Sequence, residues 1–393
     1  MDHKDRVSLY IPLDEKLISV WSRYARVAFL PKEVDISMWQ QYLNQGVNEN
    51  AWDFLCERLV QLQFPIRQGI SQTAVYRAAT KQGVDVSNWP EASGLILEQP
   101  EDLELRIHQS LAGTIPVLIP ATRADFCALV QALTKRNEPV PIPDSMGACM
   151  VAGYNNWDRI RTYRREWLAA DPQRTPADWP QAFRELIPQK HLYQDRFIIL
   201  SRGPYSNVAA GALGLAEDEW LSLSLQIRLE HECAHYFTKR VFGVIRQHVH
   251  DELLADYAGI VAANGRYRAD WFLRFMGLEN YPHYRPGARL ENYLEPAWRQ
   301  EPVFTEVKQV VVRAAHNLER FDHTLPGQER DESLQAAVLC GLASIGLDQL
   351  AATKGPALLA EKVCVWQEVI LDSQPTAVSA STNETEPTVP SFA

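Results

Sequence analysis

The segment LEHECAHYF, residues 229–237, limits what this chain can fold into more than any other stretch. It sets two histidines four residues apart, with a glutamate directly after the first. On an α-helix, residues four apart share a face, so His231 and His235 can aim both imidazoles at one point. Glu232 lies about 100° further round, where it can approach that point without sharing their direction. Neutral imidazole is a good zinc ligand, and two of them leave positions for a third residue and a water. A carboxylate beside that water is what a general base for hydrolysis requires. From the His and Glu frequencies, HExxH is expected by chance in roughly 2% of chains this long, so its surroundings must support it.

The longer stretch AEDEWLSLSLQIRLEHECAHYFTKRVFG opens on acids, which suit a helix N-terminus. It closes on Lys239, Arg240 and Gly243, which suit a C-terminus. Within it, LSLSLQIRL alternates strictly, which is a strand signal. Read as a helix, those leucines lie nearly all round, predicting a helix buried on most sides. Polar residues in such a helix need a reason, because burial without partners is costly. The helix is the preferred reading, with Cys233 turned into the core.

A third ligand must come from elsewhere. HVHDELLADYAG supplies Glu252 and, four residues later on the same face, Asp256. Ala255, Ala258 and Gly259 are small enough to let this helix approach another closely, while His248, His250 and Asp251 are rival ligands. HExxH followed, after a loop, by a helix carrying E-x-x-A-D resembles the gluzincin branch of the zincin metallopeptidases, over roughly residues 217–262. The metzincin pattern fits less well, since it needs glycine and histidine where this chain has Thr238 and Val241. The resemblance implies that Zn2+ is held by His231, His235 and Glu252, with Glu232 as the base. It also implies that Asp256 orients a ligating histidine through its other ring nitrogen. Relatives hold the oxyanion with a Tyr or His, for which Tyr281, His283, Tyr284, His316 and His323 are candidates.

The chain shows no internal repeat. Residues 1–95 carry helical patterns such as DEKLISVWSRYARVAFL and ENAWDFLCERLVQLQF. Residues 96–190 read as a mixed α/β region, with strand-like GLILEQ and TIPVLIP and helical RADFCALVQALTKR. Its Pro-rich run NEPVPIPDSMGACMVAGYNNWDRI is expected to be extended, either forming a pocket or joining two domains. Residues 191–371 form the expected catalytic domain, opening on the strand-like RFIILS and ending in helices. Among these, Pro302 sits where a first turn tolerates it. AAVLCGLASIGL is too short to span a bilayer and reads as a core helix. The polar, Pro-rich tail 372–393 is expected to be disordered.

A net charge of −10 with no Lys/Arg block argues against nucleic acid as a ligand. The first residues lack the apolar core of a secretory signal. Six cysteines without a CxxC pair suggest free thiols, and a cytoplasmic location is expected. The expected fold is α+β and mostly α-helical, a zincin-like metallohydrolase core with a small sheet and a long active-site helix. The expected function is a zinc-dependent hydrolase that cleaves a peptide or protein amide with metal-activated water and Glu232 as base. It would need neither nucleic acid nor membrane. One alternative is a metal-dependent enzyme acting on a non-peptide or a single tailored peptide. The other is a non-catalytic scaffold with structural zinc, against which Glu232 speaks, because a structural site needs no base.

Overall fold

The computed structural model describes residues 36–46, 51–243, 248–327 and 330–373. The helix expected within residues 14–30 and nearly all of the expected disordered tail lie outside these residues. The described chain is mostly helical, around one four-stranded sheet of order β1-β2-β4-β3. The strands are β1 (Glu104–Ser110), β2 (Gly113–Ile119), β3 (Ala148–Asn155) and β4 (Gln194–Leu200). β1 and β2 form an antiparallel hairpin, β2 and β4 run parallel, and β3 pairs antiparallel with β4 at the edge. This is the α+β class expected.

β2 from Ile115 onward and β4 from Phe197 onward are continuously apolar, as suits central strands covered on both faces. Successive side chains point to opposite faces. Leu118, Phe197 and Ile199 join one core with Trp39, Phe54 and Phe126, under the helices Ser37–Gly46, Ala51–Arg58 and Arg123–Thr134. Val117, Ile119, Ile198 and Leu200 join the other, under the helix Glu217–Phe242, called here the motif helix. Asp195 ties the first layer together: it accepts from Trp39 Nε1 at 2.8 Å, Asn156 Nδ2 at 2.7 Å and Arg159 at 2.7 Å.

Beneath the motif helix runs the helix Val249–Asn264, the carrier helix. The two pack with backbones close: a Cβ on Gly259 would lie 2.5 Å from the Ile227 carbonyl oxygen. Small side chains were expected to permit this approach, and at Gly259 only hydrogen fits. The helices Val303–Asp322, Glu332–Ala343 and Gly355–Ser373 complete the far side of this core.

Two segments differ from what their sequences predict. GLILEQ is extended but pairs with no strand. The Gly94 and Leu95 amides bond to Gln63 and Leu62, and those of Glu98 and Gln99 to the Asp125 carboxylate, so no ladder can form. The Pro-rich run is extended as far as Asn155, but its second half is not plain loop: it pairs into the sheet as β3 and then enters the helix Trp157–Ala169. β1 and β3 carried polar or small residues, and their periodicity did not reveal them. No helix among the described residues is long and apolar enough to cross a membrane.

Candidate metal centre

The motif helix begins with Glu217, Asp218 and Glu219 and ends with Lys239 and Arg240, so charges at both ends suit its dipole. Gly243 adopts a left-handed conformation (φ 73°) and donates to the Lys239 carbonyl, closing the last turn. These end signals prevail over the strand-like alternation. Trp220, Ile227, Phe237 and Val241 are buried, while Leu221, Leu223, Leu225 and Leu229 are half-buried. Cys233 is buried as expected, and it groups with His108 and Glu230 on another face of the helix.

His231 and His235 converge, their Nε2 atoms 3.1 Å apart. Glu252 reaches up from the first turn of the carrier helix, 3.5 Å from each of those nitrogens through separate carboxylate oxygens. One turn further, Asp256 Oδ1 lies 2.8 Å from His231 Nδ1 and accepts from the Tyr205 hydroxyl at 2.6 Å. A carboxylate can only accept, so a neutral His231 carries its hydrogen on Nδ1. Its Nε2 lone pair then faces His235 and Glu252. Tyr205 is itself held by its amide, which donates to Ser224 Oγ on the motif helix at 2.9 Å.

Arg289 supplies the charge balance. It bonds Glu252 Oε2 at 2.9 Å and Ser206 Oγ at 2.8 Å, lies 3.3 Å from Asp256 Oδ2, and donates from Nε to the Tyr293 hydroxyl at 3.2 Å. Burial alone would raise the Glu252 carboxyl, but His235, His231 and Arg289 together hold it well below the carboxylate range. Asp256 is likewise lowered against its burial, by Arg289, His231 and Tyr205. Burial works to lower His235, and Glu252 outweighs it, leaving that imidazole raised.

The donor set fits zinc. A tetrahedral ion with bonds of 2.0–2.2 Å needs ligand atoms about 3.3–3.6 Å apart. The two histidine–carboxylate separations are 3.5 Å, each to a different Glu252 oxygen, and the histidine nitrogens are slightly closer than the window at 3.1 Å. His231, His235 and Glu252 therefore form a group able to hold a metal ion. Beside it lies a cleft of about 800 Å³, whose wall includes His231, Glu232, Arg289 and Tyr293. Residues 144–148, from the Pro-rich run, form part of its rim and lead into β3.

The rival ligands lie elsewhere. His250 is buried with Nε2 2.9 Å from the Leu342 carbonyl, His248 is exposed, and Asp251 is outside the ligand group. None of the five oxyanion candidates lines the cleft. Tyr281, His283, His316 and His323 are exposed, and Tyr284 donates to the Ala288 carbonyl at 2.7 Å. The tyrosines at the cleft are Tyr205 and Tyr293. Sequence reasoning missed both, together with Arg289. Arg289 and Tyr293 sit on a short 3-10 turn in RLENY, which no periodicity distinguishes from ordinary loop.

A family of unknown function, DUF7005, matches residues 10–354, and the chain belongs to it. No curated protein and no solved structure matches the chain.

Proposed function

We propose that this DUF7005 member is a zinc-dependent hydrolase of the gluzincin-like kind, cleaving a peptide amide. The observation that carries the reading is the meeting of His231, His235 and Glu252 at zinc-ligand separations, with Glu232 beside them on the cleft wall. Zinc, if held there by His231, His235 and Glu252, would supply a Lewis acid and acidify a water, the two things amide hydrolysis most needs.

The chain's own groups take the remaining roles. Asp256 fixes the His231 ring, and Tyr205 fixes Asp256 in turn. Glu232 takes the proton of the attacking water and passes it to the leaving amine. The Tyr293 hydroxyl accepts from Arg289, so its own hydrogen is left for the carbonyl oxygen as charge develops there. Burial raises that phenol, against the pull of Arg289, so it remains a donor. The donors of Arg289 are taken by Glu252, Asp256, Ser206 and Tyr293, which makes it a counter-charge and not a substrate contact. A peptide substrate is supported by β3, an edge strand whose start adjoins the cleft, where an extended chain can add main-chain hydrogen bonds.

The test is metal analysis with three variants. Purified protein should hold about one zinc per chain at this site, and His231→Ala or His235→Ala should lose it. Glu232→Gln should keep zinc and fold while peptide hydrolysis disappears. If Glu232→Gln lost zinc as readily as the histidine variants, Glu232 would be a ligand and the assignment would fall.

A further inference from the structure

The cleft also holds two guanidinium groups that make no ion pair among the described residues, each lying over an aromatic ring, Arg228 over Tyr205 and Arg123 over Phe126. Arg228 lies on the motif helix one turn before His231 and Glu232 and is 5% exposed. It donates to the carbonyls of Ser201, Gly203 and Pro204 at 2.7, 3.0 and 3.4 Å. Arg123, at the start of its helix, donates to the carbonyls of Met146 and Pro143. Both line the cleft. Neither has a carboxylate within ion-pair distance among the described residues, whereas Arg202 at the same cleft is paired with Glu104 at 3.0 Å.

Carbonyl oxygens orient a guanidinium but carry no net charge, and a buried cation without an anion is costly. Burial pulls Arg228 down to about 10, and Arg123 pushes in the same direction, so the two cations face each other's field. Glu232, one turn along, is the carboxylate whose charge acts on Arg228, and hydrolysis requires its lone pairs for the water. The Nε–H groups of both arginines make no hydrogen bond among the described residues, and Arg228 Nε lies against Gly147 of the cleft rim. Three residues of helix advance about 4.5 Å, little more than one residue of extended peptide, so an anion held by them would sit within one or two residues of the scissile bond.

We propose that Arg123 and Arg228 form a carboxylate-binding subsite, so that the substrates of this enzyme carry a carboxylate one or two residues from the bond that is cut. The proposal rests on the hydrolase reading above and names its substrate class. The carboxylate has two sources, a free peptide C-terminus or an Asp or Glu side chain, and the experiment separates them. Acetyl-tetra-alanine is prepared as free acid and as amide, together with amidated versions carrying Glu or Gln at each position. Binding of each to zinc-loaded Glu232→Gln protein is measured by calorimetry, and cleavage of each by the unmodified protein is followed in parallel.

The expected result is that one carboxylate-bearing peptide binds at least about tenfold more tightly than its neutral twin. That preference should vanish when Arg123→Gln is added and largely persist with Arg123→Lys. Free acid over amide assigns the C-terminus; Glu over Gln assigns the side chain. Arg228 also holds the 201–204 loop, so Arg123→Gln is the primary variant and Arg228→Gln is added with a melting curve as a check on folding. Equal binding of every charged and neutral pair, or no binding of any peptide, overturns the subsite. Equal binding with cleavage intact would leave the hydrolase reading standing, and a carboxylate preference without any cleavage would do the reverse.

Discussion

Gly259→Ala tests whether the spacing of two helix backbones sets the proposed metal site, because it alters no polar group. The new Cβ would sit 2.5 Å from the Ile227 carbonyl oxygen, whereas ordinary contact begins at 3.4 Å. The helices must therefore separate or slide by about 0.9 Å, the difference of those two distances. Ile227 is one turn before His231, and Gly259 is two turns after Glu252, so the displacement passes directly to the ligands. Metal–ligand distances tolerate about 0.2 Å, several times less. Zinc affinity should fall on the order of 100-fold, the upper end of the cost of misorienting a ligand. The fold should suffer less. Overpacking costs about 1–3 kcal/mol, and replacing a helical glycine by alanine returns close to 1. Chelator competition measures the first effect, and thermal melting of metal-free protein the second. Gly211→Ala is the control, since a Cβ there meets nothing within 4 Å. Unchanged zinc affinity in Gly259→Ala would refute the idea that this contact positions Glu252 against His231.

Three further outcomes follow from the charge network and the first core layer. Arg289→Gln leaves Glu252 and Asp256 buried without their cation, so the metal-free protein should lose about 3–5 kcal/mol. Zinc restores positive charge, so it should raise the melting temperature more in the variant than in the parent; a smaller rise would contradict the balance drawn here. Asp256 is lowered from its ordinary value of 3.8, so its stabilisation is complete above that pH and is lost as pH falls through the lower folded value. In metal-free protein, the stability gap between parent and Asp256→Asn should therefore be constant above about pH 5 and narrow on acidification, and widening would be the wrong sign. Trp39→Phe removes a donor from buried Asp195 and should cost about 1–3 kcal/mol in denaturant melts without changing zinc affinity.

How much of this was readable beforehand depended on where each residue's partner lies. The motif helix was visible from its end charges and the HExxH spacing, against a strand-like alternation, and Glu252 and Asp256 were legible as one face of the carrier helix, with their roles implied by the gluzincin resemblance. β2 and β4 were visible as apolar runs. β1 and β3 were not, because an edge strand with residues such as Arg106, His108 and Gly153 lacks that apolar run. Arg289 was invisible for another reason: its value comes from Glu252 and Asp256, about ten turns of helix and loop away in sequence, and nothing local in RLENY encodes them. GLILEQ misled because composition reports a preference for extended backbone but not the destination of its amides, which here is Asp125.

The strand order has a consequence for how the molecule is made. β4 is synthesised last of the four strands, yet it occupies an inner position between β2 and β3. Until residue 200 has emerged, β2 has only β1 as a neighbour, and β3 has none. The nascent chain thus carries an apolar strand edge waiting for a partner some 75 residues downstream, counting from the end of β2 to the start of β4. Non-local pairing of this kind slows folding and leaves unpaired edges open to other chains. Because the cleft rim precedes β3 and the motif helix follows β4, the two walls of the cleft come into register only when that late strand enters.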